Sequence, residues 1–265
     1  MVNTGPNIMS DAPDFSLKGK LALITGSTQG LGFAIAQAYA ASGARVIING
    51  RDADRVEAAA AALAGKGYAA HPFVCDIGDL TGQVSAFQGL CASTGVPDII
   101  VHNVGIRIRK SLADATLAEM QELINVDLMA ALHLSKLAAA AMVEQHLAGR
   151  FITLTSIAGE LARPGDAIYP VAKQGLAGLV RALAVEYGNQ RITSNGIAPG
   201  TFATETNAEL ANDPIKGPIV LGRNPMARWA EPSEITGAAV FLASPSASYV
   251  NGHILVVDGG FSITF

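Results

Sequence analysis

Apolar residues fall along the chain in short, dense runs separated by longer stretches at helical period. Leu21 to Thr25 (LALIT), Arg45 to Ile48, Ala69 to Cys75, Asp98 to His102, Phe151 to Thr155, Ile192 to Gly196 and Ile254 to Val257 read as strands. They are rich in Val, Ile and Leu without polar alternation, the pattern of strands covered on both faces. Between them, Leu31 to Ala41, Arg51 to Leu63 (closed by Gly65), Asp79 to Ser93, Asp127 to Leu147, Tyr169 to about Gly188 and Glu231 to Leu242 read as helices. Strands alternating with helices predict an α/β fold with a parallel sheet between two helical layers. Thr204 to Arg228 is polar and carries Pro214, Pro218 and Pro225, so a long mobile segment is expected there. No repeat, low-complexity run or linker divides the chain. Residues 15–265 are therefore expected to form one domain, behind a loose tail at residues 1–14 that is rich in Asn, Pro and Ser.

Composition narrows the class. Half of the 265 residues are hydrophobic and 15% are charged, enough for a large core and for an apolar, self-associating surface. The net charge of −4 gives no broad basic field, which argues against nucleic acid or an anionic membrane as partner. Cys75 and Cys91 have neither metal nor redox spacing and read as free thiols of a reducing, cytoplasmic protein. The five histidines are scattered, and no metal site is expected. The first residues lack the basic and apolar regions of a signal peptide, and no apolar run reaches the roughly 18 residues of a spanning helix.

The first strand–helix junction is the glycine loop Thr25-Gly-Ser-Thr-Gln-Gly-Leu-Gly32. Glycines allow a tight turn and let a pyrophosphate approach the backbone, and the helix amides and dipole hold phosphate charge. Gly26, Ser27, Thr28, Gln29, Gly30, Leu31 and Gly32 are the candidate dinucleotide contacts. The second strand ends Ile48-Asn49-Gly50-Arg51, with no carboxylate at its tip for a ribose 2′-hydroxyl. Arg51 there suits a 2′-phosphate, so NADP(H) is expected in preference to NAD(H), which stays possible because Gln29 occupies a loop position where a basic residue would help.

Ser156, Tyr169 and Lys173 make up a second constellation. A hydroxyl grips a carbonyl, a phenol moves a proton, and an ammonium tunes the phenol. A free phenol ionises near 10, too high for a base near neutrality. Lys173 lies one helical turn beyond Tyr169. A positive charge ~6 Å away, at an effective dielectric of ~20, favours the phenolate by roughly 2.8 kcal/mol. Pro170 disfavours helical geometry at Tyr169, so the helix is expected to begin there.

Together the glycine loop, Asp76, Asn125 in INVD, Ser156, Tyr169, Lys173, Pro199-Gly200 with Thr204, and the closing Val257 to Gly260 (VDGG) resemble the short-chain dehydrogenase/reductase family. The resemblance runs from about Leu17 to the end. It implies a Rossmann-type, doubly wound, seven-stranded parallel sheet in three α/β/α layers, and a tetramer built partly on the long helices. It also implies cofactor contacts at Arg51, Asp76, Ile77, Asn103, Gly105, Tyr169, Lys173, Pro199, Gly200, Phe202 and Thr204. Asn125 would support a water that relays protons through Lys173. Asp76 also reads as a helix N-cap. The family's Asn-Asn-Ala-Gly is here His102-Asn-Val-Gly105, with His102 and Val104 departing.

Arg107, Arg109 and Lys110 follow the fourth strand and Arg163 the fifth, at the carboxyl ends where such sheets bind ligands. Arg109 and Arg163 are the candidate clamp for a substrate carboxylate, beside Ser156 and Tyr169. Glu160 to Gly165, Asn49 to Arg51 and Ala227 to Trp229 resemble the gluconate 5-dehydrogenase branch, which implies a sugar acid as substrate. A 3-oxoacyl-carrier-protein or general ketone reductase, and a dinucleotide-sensing protein without turnover, are the alternatives.

Overall fold

The computed structural model describes residues 12–264. Most of the expected tail, residues 1–11, lies outside them. Seven strands form one parallel sheet: β1 (Leu21–Ile24), β2 (Arg45–Gly50), β3 (Ala70–Val74), β4 (Ile99–His102), β5 (Arg150–Leu154), β6 (Thr193–Pro199) and β7 (Ile254–Val257). Their order is β3-β2-β1-β4-β5-β6-β7, and every pairing is parallel. The order reverses between β1 and β4, which opens a crevice at their carboxyl ends.

Period-two alternation divides the strand residues between two cores. Ala22, Ile24, Val46, Ile48, Ile99 and Val101 face helices α1 (Gly30–Ala41), α2 (Ala53–Ala64) and the later α9 (Thr236–Ala243). Leu21, Leu23, Ile47, Ile100 and Phe151 face the opposite layer. That layer holds α3 (Leu80–Thr94), α5 (Ala130–Glu144) and α6 (Tyr169–Tyr187), with the short α4 (Leu117–Ile124) ahead of α5. The three-layer α/β/α arrangement expected from the sequence is thus present.

Two elements differ from the sequence reading. The helix expected to start at Asp127 starts ten residues earlier, at Leu117, and runs to Glu144 through a π-helical turn at Asn125–Met129. Asp127 looks like a helix-start residue, but here it sits inside a helix, in the π turn with Asn125. The true start carries a capping box, Thr116 with Glu119, in which each side chain meets the other's backbone amide. Gln83, buried in α3, donates to the carbonyls of Ile77 and Ala130 and so supports the end of the π turn. By length and hydropathy, Leu117–Glu144 matches a membrane span. Its Ala130, Leu134, Ala138 and Met142 are instead buried against the sheet layer.

The segment expected to be long and mobile, Thr204 to Arg228, is not read as helical from the sequence, and it contains a 3-10 turn at Glu205–Asn207 and two short helices, α7 (Ala208–Asn212) and α8 (Lys216–Leu221). Pro218 lies in the first turn of α8, where a missing amide costs nothing, so it is compatible with a helix.

Candidate active site

The glycine loop owes its shape to its neighbours. Gly26 and Gly30 have positive φ, 61° and 58°. A Cβ on Gly32 would lie 2.5 Å from Asn103 Nδ2 and 2.6 Å from the Gly26 carbonyl oxygen. Only glycine lets α1 start that close to β4. Asn103 Nδ2 donates to the carbonyls of Thr25 and Gly26, at 2.9 and 3.0 Å. Asn49, fully buried, accepts from the Gly26 amide and donates to the carbonyls of Phe73 and Cys75. Ser27 is buried too, with its hydroxyl donating to Ile24 O and accepting from the Asn49 amide. Asn49 and Ser27 therefore build the loop, a role for Asn49 that its polar character at a buried strand end could have signalled.

A cleft of about 1340 Å³ runs along the carboxyl ends of the strands. That exceeds the roughly 300–1,000 Å³ of a drug-sized ligand site and accommodates a dinucleotide beside a small substrate. Gly26, Thr28, Gln29, Gly30 and Leu31 line it at one end, with Arg51, Asp76 and Ile77. Asn103, Gly105, Pro199, Gly200, Phe202 and Thr204 line it further along, and Asn125, Ser156, Tyr169 and Lys173 face it as well. Ser27, Gly32 and Arg163 are not among its lining residues. The first two lie behind the loop, and act on its shape.

The N-cap of α3 is Asp79, which accepts from the amides of Thr81 and Gly82. Asp76 instead accepts from the Gly78 amide at 2.9 Å and faces the cleft. Near the tip of β2, Arg51 has a second basic neighbour. Arg55 also lines the cleft, and its guanidinium bonds Gln29 Oε1. Its position one turn into α2, beyond the N-cap Asp52, was the available signal.

Tyr169 is the first residue of α6, with Pro170 just behind it, so the chain change from loop to helix aims the phenol into the cleft. Lys173 Nζ stands 5.3 Å from the Tyr169 ring centroid and is 4% exposed. Ser156 has extended backbone at the start of a 3-10 turn, and its hydroxyl oxygen accepts from the Ala158 amide at 3.1 Å. Asn125 lies in the π turn and donates to the Gly78 carbonyl at 2.9 Å. Asp127, in the same turn, meets Lys173 Nζ at 3.2 Å. The sequence reading did not single it out.

The arginines divide differently from the expected clamp. Asp166, 2% exposed, accepts from Arg163 Nε and Nη2 and from Arg107 Nη2, at 3.2–3.3 Å. Arg163 is thereby turned to a carboxylate of its own loop and away from the cleft. Arg107 lines the cleft and stacks over the Tyr169 ring at 4.5 Å. Arg109 lines it too. Burial, then the charges of Arg107 and Arg163, hold the Arg109 guanidinium below its ordinary value, while Asp166 acts in the other direction. Two guanidiniums, Arg107 and Arg163, thus share the Asp166 carboxylate, and Arg109 lines the cleft beside Arg107, so positive charge faces the cleft there.

His102 is 4% exposed and stacks on Phe151. Its Nε2 lies 2.8 Å from Ser135 Oγ, whose hydrogen goes to Ala131 O. Nε2 therefore carries the ring hydrogen. Burial lowers the His102 pKa to about 4, so the ring is neutral.

A family model described as enoyl-(acyl carrier protein) reductase matches residues 26–262. The chain belongs to the short-chain dehydrogenase/reductase family. Within this family it is 33% identical to the gluconate 5-dehydrogenase of Gluconobacter oxydans, over 97% of this chain and 100% of that one. It is 36% identical to the 5-keto-D-gluconate 5-reductase of Escherichia coli K12, over 94% and 98%. Its fold is similar to a crystal structure of a gluconate 5-dehydrogenase from Burkholderia cenocepacia in complex with NADP and tartrate. The TM-score is 0.91, with 33% identity over 95% of this chain and 98% of that one.

Proposed function

We propose that this short-chain dehydrogenase/reductase is an NADP-dependent oxidoreductase that interconverts a secondary alcohol and a ketone on a sugar acid of the gluconate/5-ketogluconate type. The observation that carries the substrate is the pair Arg107 and Arg109, lining the cleft beside Tyr169. The activities named for the relatives support it. Residues 15–265 are taken as one catalytic domain, in keeping with the single continuous sheet.

The donor set fits a phosphorylated dinucleotide. The glycine loop and the start of α1 would hold the pyrophosphate, Arg51 and Arg55 the 2′-phosphate, and Asp76 with Ile77 the adenine side. Asn103, Gly105, Lys173, Pro199, Gly200, Phe202 and Thr204 would line the nicotinamide side. Bound there, the cofactor supplies hydride donor and acceptor chemistry. The rest falls to the chain. Ser156 has its oxygen engaged by Ala158, which leaves its hydrogen for the substrate oxygen. Tyr169 takes the alcohol proton in oxidation and returns it in reduction, and Lys173 favours the phenolate. Arg109, with Arg107, holds the carboxylate so that only one carbon of the sugar reaches Ser156 and Tyr169. Asn125 is read as supporting a water in the proton relay. The solvent isotope effect on Asn125→Ala checks that role.

The functional test uses NADPH with 5-ketogluconate, an uncharged ketose or a 3-oxoacyl thioester, following nicotinamide absorbance. The proposal expects turnover of the sugar acid. Turnover of the thioester alone would replace it with an acyl reductase. Cofactor binding without turnover of any would leave a dinucleotide sensor.

We further propose a cytoplasmic homotetramer. Met129 and Leu132, next to and within α5, and Val171 and Val185 on α6 are exposed apolar residues on two long helices, as an interface between copies requires. A monomer by light scattering at micromolar concentration would refute the assembly.

A further inference from the structure

Lys173 has a counter-ion inside the chain. Asp127 Oδ2 lies 3.2 Å from Lys173 Nζ, and the two side chains are 0% and 5% exposed. The contact is an ion pair rather than a well-aligned hydrogen bond. The other oxygen, Oδ1, accepts from the Ile106 amide at 2.6 Å. Three elements meet here: the π turn, α6 and the loop after β4. Gly105 permits the meeting, because a Cβ there would stand 2.9 Å from Asp127 Oδ2 and 3.1 Å from Lys173 Nζ.

The Ile106 amide needs only one acceptor oxygen. A neutral amide or hydroxyl would serve it without the desolvation that a buried carboxylate carries. The second oxygen, aimed at the lysine, therefore calls for another explanation. The charged groups facing Asp127 are Lys173 from α6 and Arg107 from the loop after β4. Burial raises the Asp127 carboxyl above its ordinary value, against the opposing pull of Lys173, the Ile106 amide and Arg107.

We propose that Asp127 is a positioning residue that acts through Lys173: it pins the ammonium beside Tyr169 and, as its counter-ion, sets how much positive charge the phenol meets. With Lys173 Nζ 3.2 Å from the carboxylate and 5.3 Å from the Tyr169 ring centroid, the carboxylate is at most roughly 8.5 Å from that centroid. One charge at that range and an effective dielectric of about 20 displaces a proton equilibrium by roughly 1 to 1.5 pH units. A negative charge opposes a second one nearby, so removing the carboxylate favours the phenolate. The rising limb of the pH profile for alcohol oxidation should then move to lower pH.

The test measures kcat/KM for oxidation against pH in the unaltered protein, Asp127→Asn and Asp127→Glu. It is paired with tyrosinate difference absorbance of the cofactor-free protein, with Tyr169→Phe identifying the signal. Asp127→Asn is expected to lower both midpoints by roughly 1 to 1.5 pH units, and Asp127→Glu to leave them in place. A folded Asp127→Asn that loses rate with unmoved midpoints overturns the proposal. If Asp127→Asn does not fold, Asp127→Ser, which keeps an acceptor for Ile106, takes its place: lowered midpoints support the proposal and unmoved ones overturn it. Failure of both to fold, with Asp127→Glu folded, assigns the carboxylate to folding and overturns the proposal as well. The inference rests on Tyr169 as the proton-transfer group. Full turnover by Tyr169→Phe sinks that reading, whereas an inactive Tyr169→Phe with unmoved Asp127→Asn midpoints sinks only the role of Asp127.

Discussion

Replacing Arg109 and Arg163 one at a time by alanine separates two arginines that look alike in the sequence. Arg109 lines the cleft with Arg107, which stacks on the Tyr169 ring, and among the described residues no carboxylate forms an ion pair with Arg109. Its contact with a substrate carboxylate would be charge-assisted, worth roughly 1.5–3 kcal/mol. Losing it should cost about 10- to 150-fold in kcat/KM for an anionic sugar acid. Arg163 is half exposed and spends its fork on Asp166. Ion pairs of that exposure contribute roughly 0–1 kcal/mol, so Arg163→Ala should cost no more than about fivefold. Asp166 would still keep Arg107 as a partner. The assay is steady-state reduction of 5-ketogluconate and of an uncharged ketose with NADPH at two ionic strengths. Arg109→Ala should hurt the sugar acid far more than the ketose, and added salt should narrow the gap. Equal losses for the two substrates, or an Arg163→Ala loss as large as that of Arg109→Ala, would refute this division of labour.

Three further outcomes follow from the geometry. Arg51→Ala and Arg55→Ala should each weaken NADP binding and leave NAD nearly unchanged, read by nicotinamide fluorescence titration; equal loss for both cofactors rejects the phosphate assignment. Gly32→Ala drives a Cβ to within 2.6 Å of the Gly26 carbonyl oxygen and should destabilise the protein by about 1–3 kcal/mol while abolishing dinucleotide binding; an unchanged melting temperature contradicts the packing account. His102 is held neutral to about pH 4, whereas an unfolded histidine takes its proton near 6.5, so stability is full above pH 6.5 and falls by roughly 3 kcal/mol as pH drops to about 4. Denaturant midpoints of His102→Asn across that range should fall less steeply than those of the unaltered protein.

The sheet was legible because buried parallel strands announce themselves as dense Val, Ile and Leu runs, and each of the seven expected runs overlaps an observed strand. The glycine loop and the Ser156, Tyr169 and Lys173 spacing were legible because backbone geometry and proton chemistry demand those residue types at those offsets. What escaped the sequence depends on distance in space. Asp127 reads as a helix start, since a short polar residue favours caps, whereas in the structure it packs on Ile106 and Lys173 inside a π turn with Asn125. The capping box at Thr116 and Glu119 is a local signal for α4, masked by the stronger apolar run that follows Asp127. Arg163 resembles a clamp in sequence, but Asp166, three residues on, takes its guanidinium. That pairing is visible in the spacing, yet nothing in the sequence says that Asp166 is buried and so commands both arginines.

The most direct test is a crystal structure of the protein with NADP and D-gluconate. The account predicts the 2′-phosphate beside Arg51 and Arg55, the sugar carboxylate against Arg109 and Arg107, and one hydroxyl within hydrogen-bond reach of both Ser156 and Tyr169. A carboxylate seated on Arg163, or a gluconate that stays outside the cleft while the cofactor binds, would contradict it.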